Sequence, residues 1–222
     1  MKHFLLMIAV VMGYSVLMAD KKDSTQSAII DRAIRSVLKK PKGEFTLADL
    51  EKVREINLDV SSADRFRAGA RMKEAGLKEL AKLTQLERLR LHGNQLTDVG
   101  PLAKLPRLTL LHLGNNRLTD VSPLAKLAQL KMLYLSFNQI TDVSHLSKLA
   151  QLEALHLNGN KLTDVGALTG LMKLKTLILS GNKLTDVSAL AKLEKLNYLH
   201  LGANKKIDPN TLGKLTQLRT LS

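Results

Sequence analysis

Residues 105–126 read LPRLTLLHLGNNRLTDVSPLAK, and this stretch recurs with small edits from Leu83 to Ser222. Regular units start at Leu83, Leu105, Leu127, Leu149 and Leu171; a sixth starts at Leu193, and residues 215–222 begin a seventh. In each regular unit apolar residues stand at positions 1, 4, 7, 9, 14, 17 and 20, with Asn at 12 and Asp at 16. A fixed period of this kind predicts a repeat architecture in which no unit buries its leucines alone and neighbours complete the core. Positions 7 and 9 alternate with a variable residue, as in Leu111-His112-Leu113, which predicts a short strand with its leucines inward. Stacked copies make a parallel sheet on one face of a solenoid.

Two polar columns have structural readings. The buried-amide column Asn94, Asn116, Asn138, Asn160, Asn182 and Asn204 must be paired, and it is placed to bond the backbone of its own and the next unit. The column Asp98, Asp120, Asp142, Asp164, Asp186 and Asp208 precedes the short convex turn and reads as its N-cap. With a capping duty at each Asp and no second carboxylate beside it, calcium binding and acid–base chemistry are not expected.

Composition fits one globular core: 222 residues, 45% hydrophobic, 24% charged, but only 3% aromatic and without Trp, so one aliphatic side chain does most of the packing. The absence of Cys excludes disulfides, thiolate catalysis and Cys-ligated metal. Residues 1–19 combine Lys2, an apolar run and Met18-Ala19, and read as a secretory signal cleaved after Ala19, which predicts a secreted or periplasmic protein. The apolar run, broken by Gly13 and Ser15, falls short of the ~20 residues that span a bilayer, so no transmembrane span is expected after cleavage. The formal net charge of +14 favours anionic neighbours without defining a ligand.

Residues 20–49 read as a flexible lead-in followed by a helical N-terminal cap: Ile29, Ile30, Ala33, Ile34, Val37 and Leu38 fall on one helix face, and residues 46–50 form a capped short helix. Residues 50–82 form an irregular first repeat, stretched around SSADRFRAGARMKEAG at 61–76. This insertion, with Arg65, Arg67, Arg71 and Lys73, reads either as an irregular turn before a longer convex helix or as a basic loop that touches a partner. Residues 83–222 are the repeats proper, with Lys206 standing where the sixth unit expects a core Leu.

The pattern LxxLxxLxLxxNxLTDVxxL resembles the 22-residue leucine-rich repeat of bacterial internalin-like proteins over residues 83–212. The segment IIDRAIRSVLKKPKGEFTLADLEKVREINL, residues 29–58, is similar to the helical cap and first strand of exported bacterial relatives. The resemblance implies an α/β leucine-rich-repeat solenoid, with a concave parallel sheet, short helical turns on the convex face and a helical N-terminal cap. It also implies that the concave sheet binds another macromolecule, usually a protein.

In such a solenoid positions 6, 8 and 10 point outward from the concave strands and are free of core duty. They offer Arg88, Arg90, Leu110, His112, Met132, Tyr134, His156, Ile178, Tyr198 and His200, the aromatic, Met and Arg types enriched in interface cores. Phe137 replaces the usual small residue at position 11 and adds an apolar spot at the sheet edge. His112, His156 and His200 share a column but lie two strand spacings apart, about 10 Å, too far for one metal centre with ~2.1 Å bonds. A pH-sensitive contact surface remains open to them. No nucleophile–base pairing, phosphate loop or paired catalytic carboxylate occurs, so the expectation is a monomeric, non-enzymatic protein binder without cofactor or metal and without a specific nucleic-acid target. The alternative is an anionic envelope polymer held by the basic convex face and rim, where Lys82, Lys104, Lys126, Lys148, Lys192 and Lys214 close their units.

Overall fold

A computed structural model describes residues 24–60, 71–204 and 207–222. The leader at 1–19, Arg65 and Arg67 of the basic insertion, and Lys206 lie outside the described residues. Helix α1 spans Ser24–Leu38, the one-turn α2 spans Leu47–Leu50 and α3 spans Glu74–Leu80. Eight strands follow the chain order in one parallel sheet: β1 Glu55–Asn57, β2 Arg88–Arg90, β3 Leu110–His112, β4 Met132–Tyr134, β5 Ala154–His156, β6 Thr176–Ile178, β7 Tyr198–His200 and β8 Thr220–Leu221. Register advances one repeat per strand, as in Leu111↔Leu133↔Leu155, so each column of the sequence becomes a row in space. The stretched first unit still pairs correctly, Ile56 with Leu89. Among the described residues no helix is long and apolar enough to cross a membrane.

The core is the sum of the apolar columns. Leu89, Leu111, Leu133, Leu155, Leu177 and Leu199 are fully buried from β2 to β7, with the position 4, 9 and 20 leucines packed around them. In the five regular units the convex side carries five-residue 3-10 turns, such as Ser122–Lys126, whereas the first unit has α3, packed on the turn Gly100–Lys104, and the sixth has Pro209–Leu212, α4.

The Asn column is paired, and buried from Asn94 to Asn182 with Asn204 half-buried, with one change of direction from expectation: each amide ties its own turn to the preceding unit. Asn116 Nδ2 donates to Leu113 O at 2.9 Å and to Leu91 O at 3.0 Å, while its Oδ1 accepts from Leu96 N at 2.9 Å. Asn138, Asn160, Asn182 and Asn204 repeat this pattern, and Asn94 joins the first unit by accepting from Met72 N and donating to Leu58 O. The Asp column also departs from its expected place. In the regular units it sits one residue before the N-cap, which is Val99, Val121, Val143, Val165 or Val187, and its Oδ1 accepts the N–H two residues on, as from Ser122 at 2.7 Å. The side chain therefore closes an Asx turn that leads into the 3-10 turn; only Asp208 is itself an N-cap.

At the N-terminal end α1 covers the first repeat with Ile30 and Ile34. Gln26, 2% exposed, clasps the far side of the insertion: its Nε2 donates to Arg71 O at 3.0 Å and its Oε1 accepts from Lys73 N at 2.7 Å. Residues 71–73 are thus pinned to the cap, with Met72 buried beneath, Arg71 half-buried and Lys73 exposed. Thr46 and Asp49 form a reciprocal capping box on α2. Lys40, 2.8 Å away, together with Thr46, holds the Asp49 carboxyl well below the usual range.

Candidate binding face on the concave sheet

Each three-residue strand buries its central residue, Ile56 in β1 and a leucine in β2 to β7, and turns its first and third residues outward, so the concave face is a grid whose rows are set by register. Arg88, at one end, is engaged with Glu55 at 2.8 Å. Leu110, expected to face outward, is only 6% exposed. The longer Arg88 and Met132 flank it in register and leave it little contact area. Met132 is exposed, and Tyr134 Oη lies 3.7 Å from its sulfur.

The third-residue row is more continuous than a list of alternating residue types implies. His112 and Tyr134 pack edge to face at 5.3 Å, and Tyr134 and His156 at 4.6 Å, so that one ring per strand tiles β3 to β5. A further ring, His92, packs on His112 at 5.0 Å. Gly114 allows that approach: a Cβ there would lie 3.1 Å from both His112 Nε2 and His92 Nδ1. Asp59 closes the row, its Oδ1 accepting from His92 N at 2.7 Å and its Oδ2 lying 3.6 Å from His112 Nδ1. Burial pushes the Asp59 carboxyl up, but the His112 side chain and the His92 N–H outweigh it and bring it below the usual value. Burial, with some help from the charge of His112, lowers His156, so its ring is neutral at pH 7. Ile178, Tyr198 and His200 continue the face, each half-buried.

His92 and Asp59 were missed in reading the sequence, although both stand at position 10, a column the strand alternation also turns outward. Reading that column as closely as positions 6 and 8 finds them. Among the described residues no group of three or more His, Asp or Glu side chains is placed to hold a metal ion. Beside the ring row stands Phe137, 59% exposed with φ +57°, its ring laid over Gly159. Position 11 is left-handed in every unit from Leu83 to the sixth: Gly93, Asn115, Phe137, Gly159, Gly181 and Ala203 all have positive φ.

The family profile described as leucine-rich repeats (2 copies) matches residues 84–126, 128–170 and 173–211. Internalin C2 (inlC2) of Listeria monocytogenes is 30% identical, with 87% of this chain and 92% of that one covered and a TM-score of 0.67. The chain belongs to the leucine-rich-repeat family and is internalin-like. The internalin inlF of the same organism is 29% identical at TM-score 0.68, with 88% of this chain and 62% of that one covered, so this chain spans less than two thirds of inlF. The leucine-rich-repeat ectodomain of the Arabidopsis receptor kinase HAESA, solved with an N-terminally extended IDA peptide hormone, is 29% identical over 65% of this chain and 27% of its own, at TM-score 0.56. None of the curated proteins matches the chain. An internalin-like repeat domain is a non-enzymatic scaffold for protein–protein interaction.

Proposed function

We propose that this internalin-like protein is an exported binding module that holds a protein partner on its concave sheet, across Arg88, Arg90, Met132, Tyr134, His156, Ile178, Tyr198 and His200. The observation that carries the reading is the ring row His92, His112, Tyr134 and His156, flanked by exposed Met132 and Phe137. Packed rings of this kind bring large contact area and lose little side-chain freedom on binding, which is how interface anchors act. Buried Leu110 is a spacer in this scheme. Export rests on the signal-like pattern of residues 1–19.

The test is capture of a partner from the envelope of the producing cell, or from a host it meets, with Tyr134→Ala combined with His156→Ala as the comparison. Both side chains leave the core untouched, so the double variant keeps its fold. Loss of the captured protein at least tenfold, with little dependence on salt for the unaltered chain, is expected. Equal capture by the double variant sinks the concave-face reading.

A further inference from the structure

The positive charge of this chain is not spread evenly around the solenoid. Each unit runs from the end of its convex turn to the start of its strand through positions 22, 1, 2, 3, 4 and 5, of which 1 and 4 are buried leucines. What remains of that segment faces solvent on one lateral margin, where the strands begin. Position 22 gives Lys82, Lys104, Lys126, Lys148, Lys192 and Lys214, all exposed. Positions 3 and 5 add a second row, Arg107, Lys131, Lys173, Lys175, Lys195 and Arg219, also all exposed. Against these rows stand Glu87, Glu153 and Glu194. Glu153 is paired with Lys175 at 2.6 Å and Glu79 with Lys82 at 3.0 Å, while Glu87 is engaged by Arg54 at 3.5 Å, so two of the row cations are matched and the others keep their charge. Lys173 reaches Gln151 in the preceding unit at 2.6 Å, which shows the second row aligned from repeat to repeat.

The carboxylates that would balance this margin are spent elsewhere. In the regular units the Asp column is held in its Asx turns, each Oδ1 on the N–H two residues ahead at 2.7–2.8 Å. Among the described residues the opposite margin, by contrast, carries only Arg117, Lys161 and Lys183 at position 13, beside that Asp column. Along the basic margin the cations recur about every 4.8 Å, the spacing of strands in a sheet. No aromatic side chain stands at positions 22, 2, 3 or 5, so the margin has no platform on which a base or sugar ring could stack. The cations are mostly Lys, compact point charges suited to phosphate without the bidentate selectivity of Arg.

We infer that this lateral margin is a second binding surface, separate from the concave face, that holds a flexible linear phosphate polymer lacking bases through charge density alone. The polymer lies along the stacked repeats, one phosphate contact per unit or more, and leaves the concave sheet open for its protein partner.

The test uses the whole protein and fluorescent inorganic polyphosphate across a salt series. One variant carries Lys126→Gln, Lys148→Gln and Lys173→Gln; the other carries Arg117→Gln, Lys161→Gln and Lys183→Gln. The two lose the same charge at exposed positions, and equal melting temperatures confirm that both fold. Polyphosphate affinity should fall at least tenfold in the first variant, and the slope of log affinity against log salt should flatten by about 2, near 0.7 per lost contact. The second variant should stay within about twofold of the parent. Equal losses in both would mean that net charge acts without a site, and would overturn the proposal. So would failure of the unaltered protein to bind polyphosphate, or tighter binding to anionic lipid vesicles at matched phosphate. Capture of the protein partner by the first variant should be unchanged, which keeps this result independent of the concave-face reading.

Discussion

At the residue scale the informative position is 11, where the chain turns left-handed after each of the strands β2 to β7. Gly and Asn take such a conformation at little cost, whereas a bulky side chain there works against its own backbone. Phe137 occupies it with its ring over Gly159, where a Cβ would come within 2.6 Å of Phe137 Cδ1. At Gly181 the same added atom meets only backbone at 3.4 Å or more. Gly159→Ala should therefore destabilise more than Gly181→Ala, by about 1 kcal/mol beyond the left-handed cost both share. Urea unfolding of Gly159→Ala in a Phe137→Ala background should recover most of that excess; if the excess persists, the ring is not its source. The ring row makes a second residue-level prediction. His156 has its folded pKa below the ordinary 6.5, so the unfolded chain binds its proton more readily and stability falls as pH drops through 6.5. Asp59, lowered below 3.8 in the fold, adds its own loss only at pH below that value. The drop in urea midpoint between about pH 7.5 and pH 5.5 should thus be smaller in His156→Gln than in the parent, and an undiminished drop would exclude His156 as its cause.

At the scale of elements, the Asn column joins one repeat to the next. Removing the Asn138 side chain leaves Leu118 N without its partner in a buried turn, and takes one of two amide donors from Leu113 O and Leu135 O, which Asn116 and Asn160 still serve. At about 1–3 kcal/mol for the one buried N–H left unpaired, with a smaller loss from the second bonds at the two carbonyls, Asn138→Ala should cost about 2 kcal/mol. Asn204 makes the same bonds from a half-buried position near the last unit, where water can replace them, so Asn204→Ala should cost less than half as much. Equal losses at the two sites would show that the ladder does not depend on burial. The column was legible because a buried amide has few physical uses, and the period of the leucines fixed strand, core and sheet order as well. The direction of the bonds was not legible, since a column in sequence looks the same from either neighbour. Nor was the identity of the convex turns as 3-10, because the apolar spacing at positions 17 and 20 suits either kind of helix. The concave face was legible by column but not by depth: the alternation finds Leu110 and His112 alike, while only packed neighbours decide that one is covered and the other joins a ring row.

At the scale of the whole molecule, a solenoid is a chain of nearest-neighbour contacts with two ends whose leucines would otherwise face water. The N-terminal end is closed by α1, which lays Ile30 and Ile34 on the first repeat and locks onto residues 71–73 through Gln26. Gly76 fits beneath that clasp because a Cβ there would collide with Met72 Sδ and lie 2.7 Å from Gln26 Oε1. Sequence reading placed the helix but not its anchor, since Gln26 lies on a polar stretch and gains meaning only from a segment some 45 residues away. Gln26→Ala removes the hydrogen bonds to Lys73 N and Arg71 O and loosens the cap without touching any repeat leucine. In a linear array such damage stays local, because opening at one end needs no rearrangement of the middle. Amide hydrogen exchange should therefore quicken at least tenfold in α1, α3 and β1 of Gln26→Ala, while β4 to β6 keep their protection. If exchange instead rises uniformly along the sheet, the cap and the repeats form one cooperative unit, and the clasp stabilises the whole solenoid rather than its end.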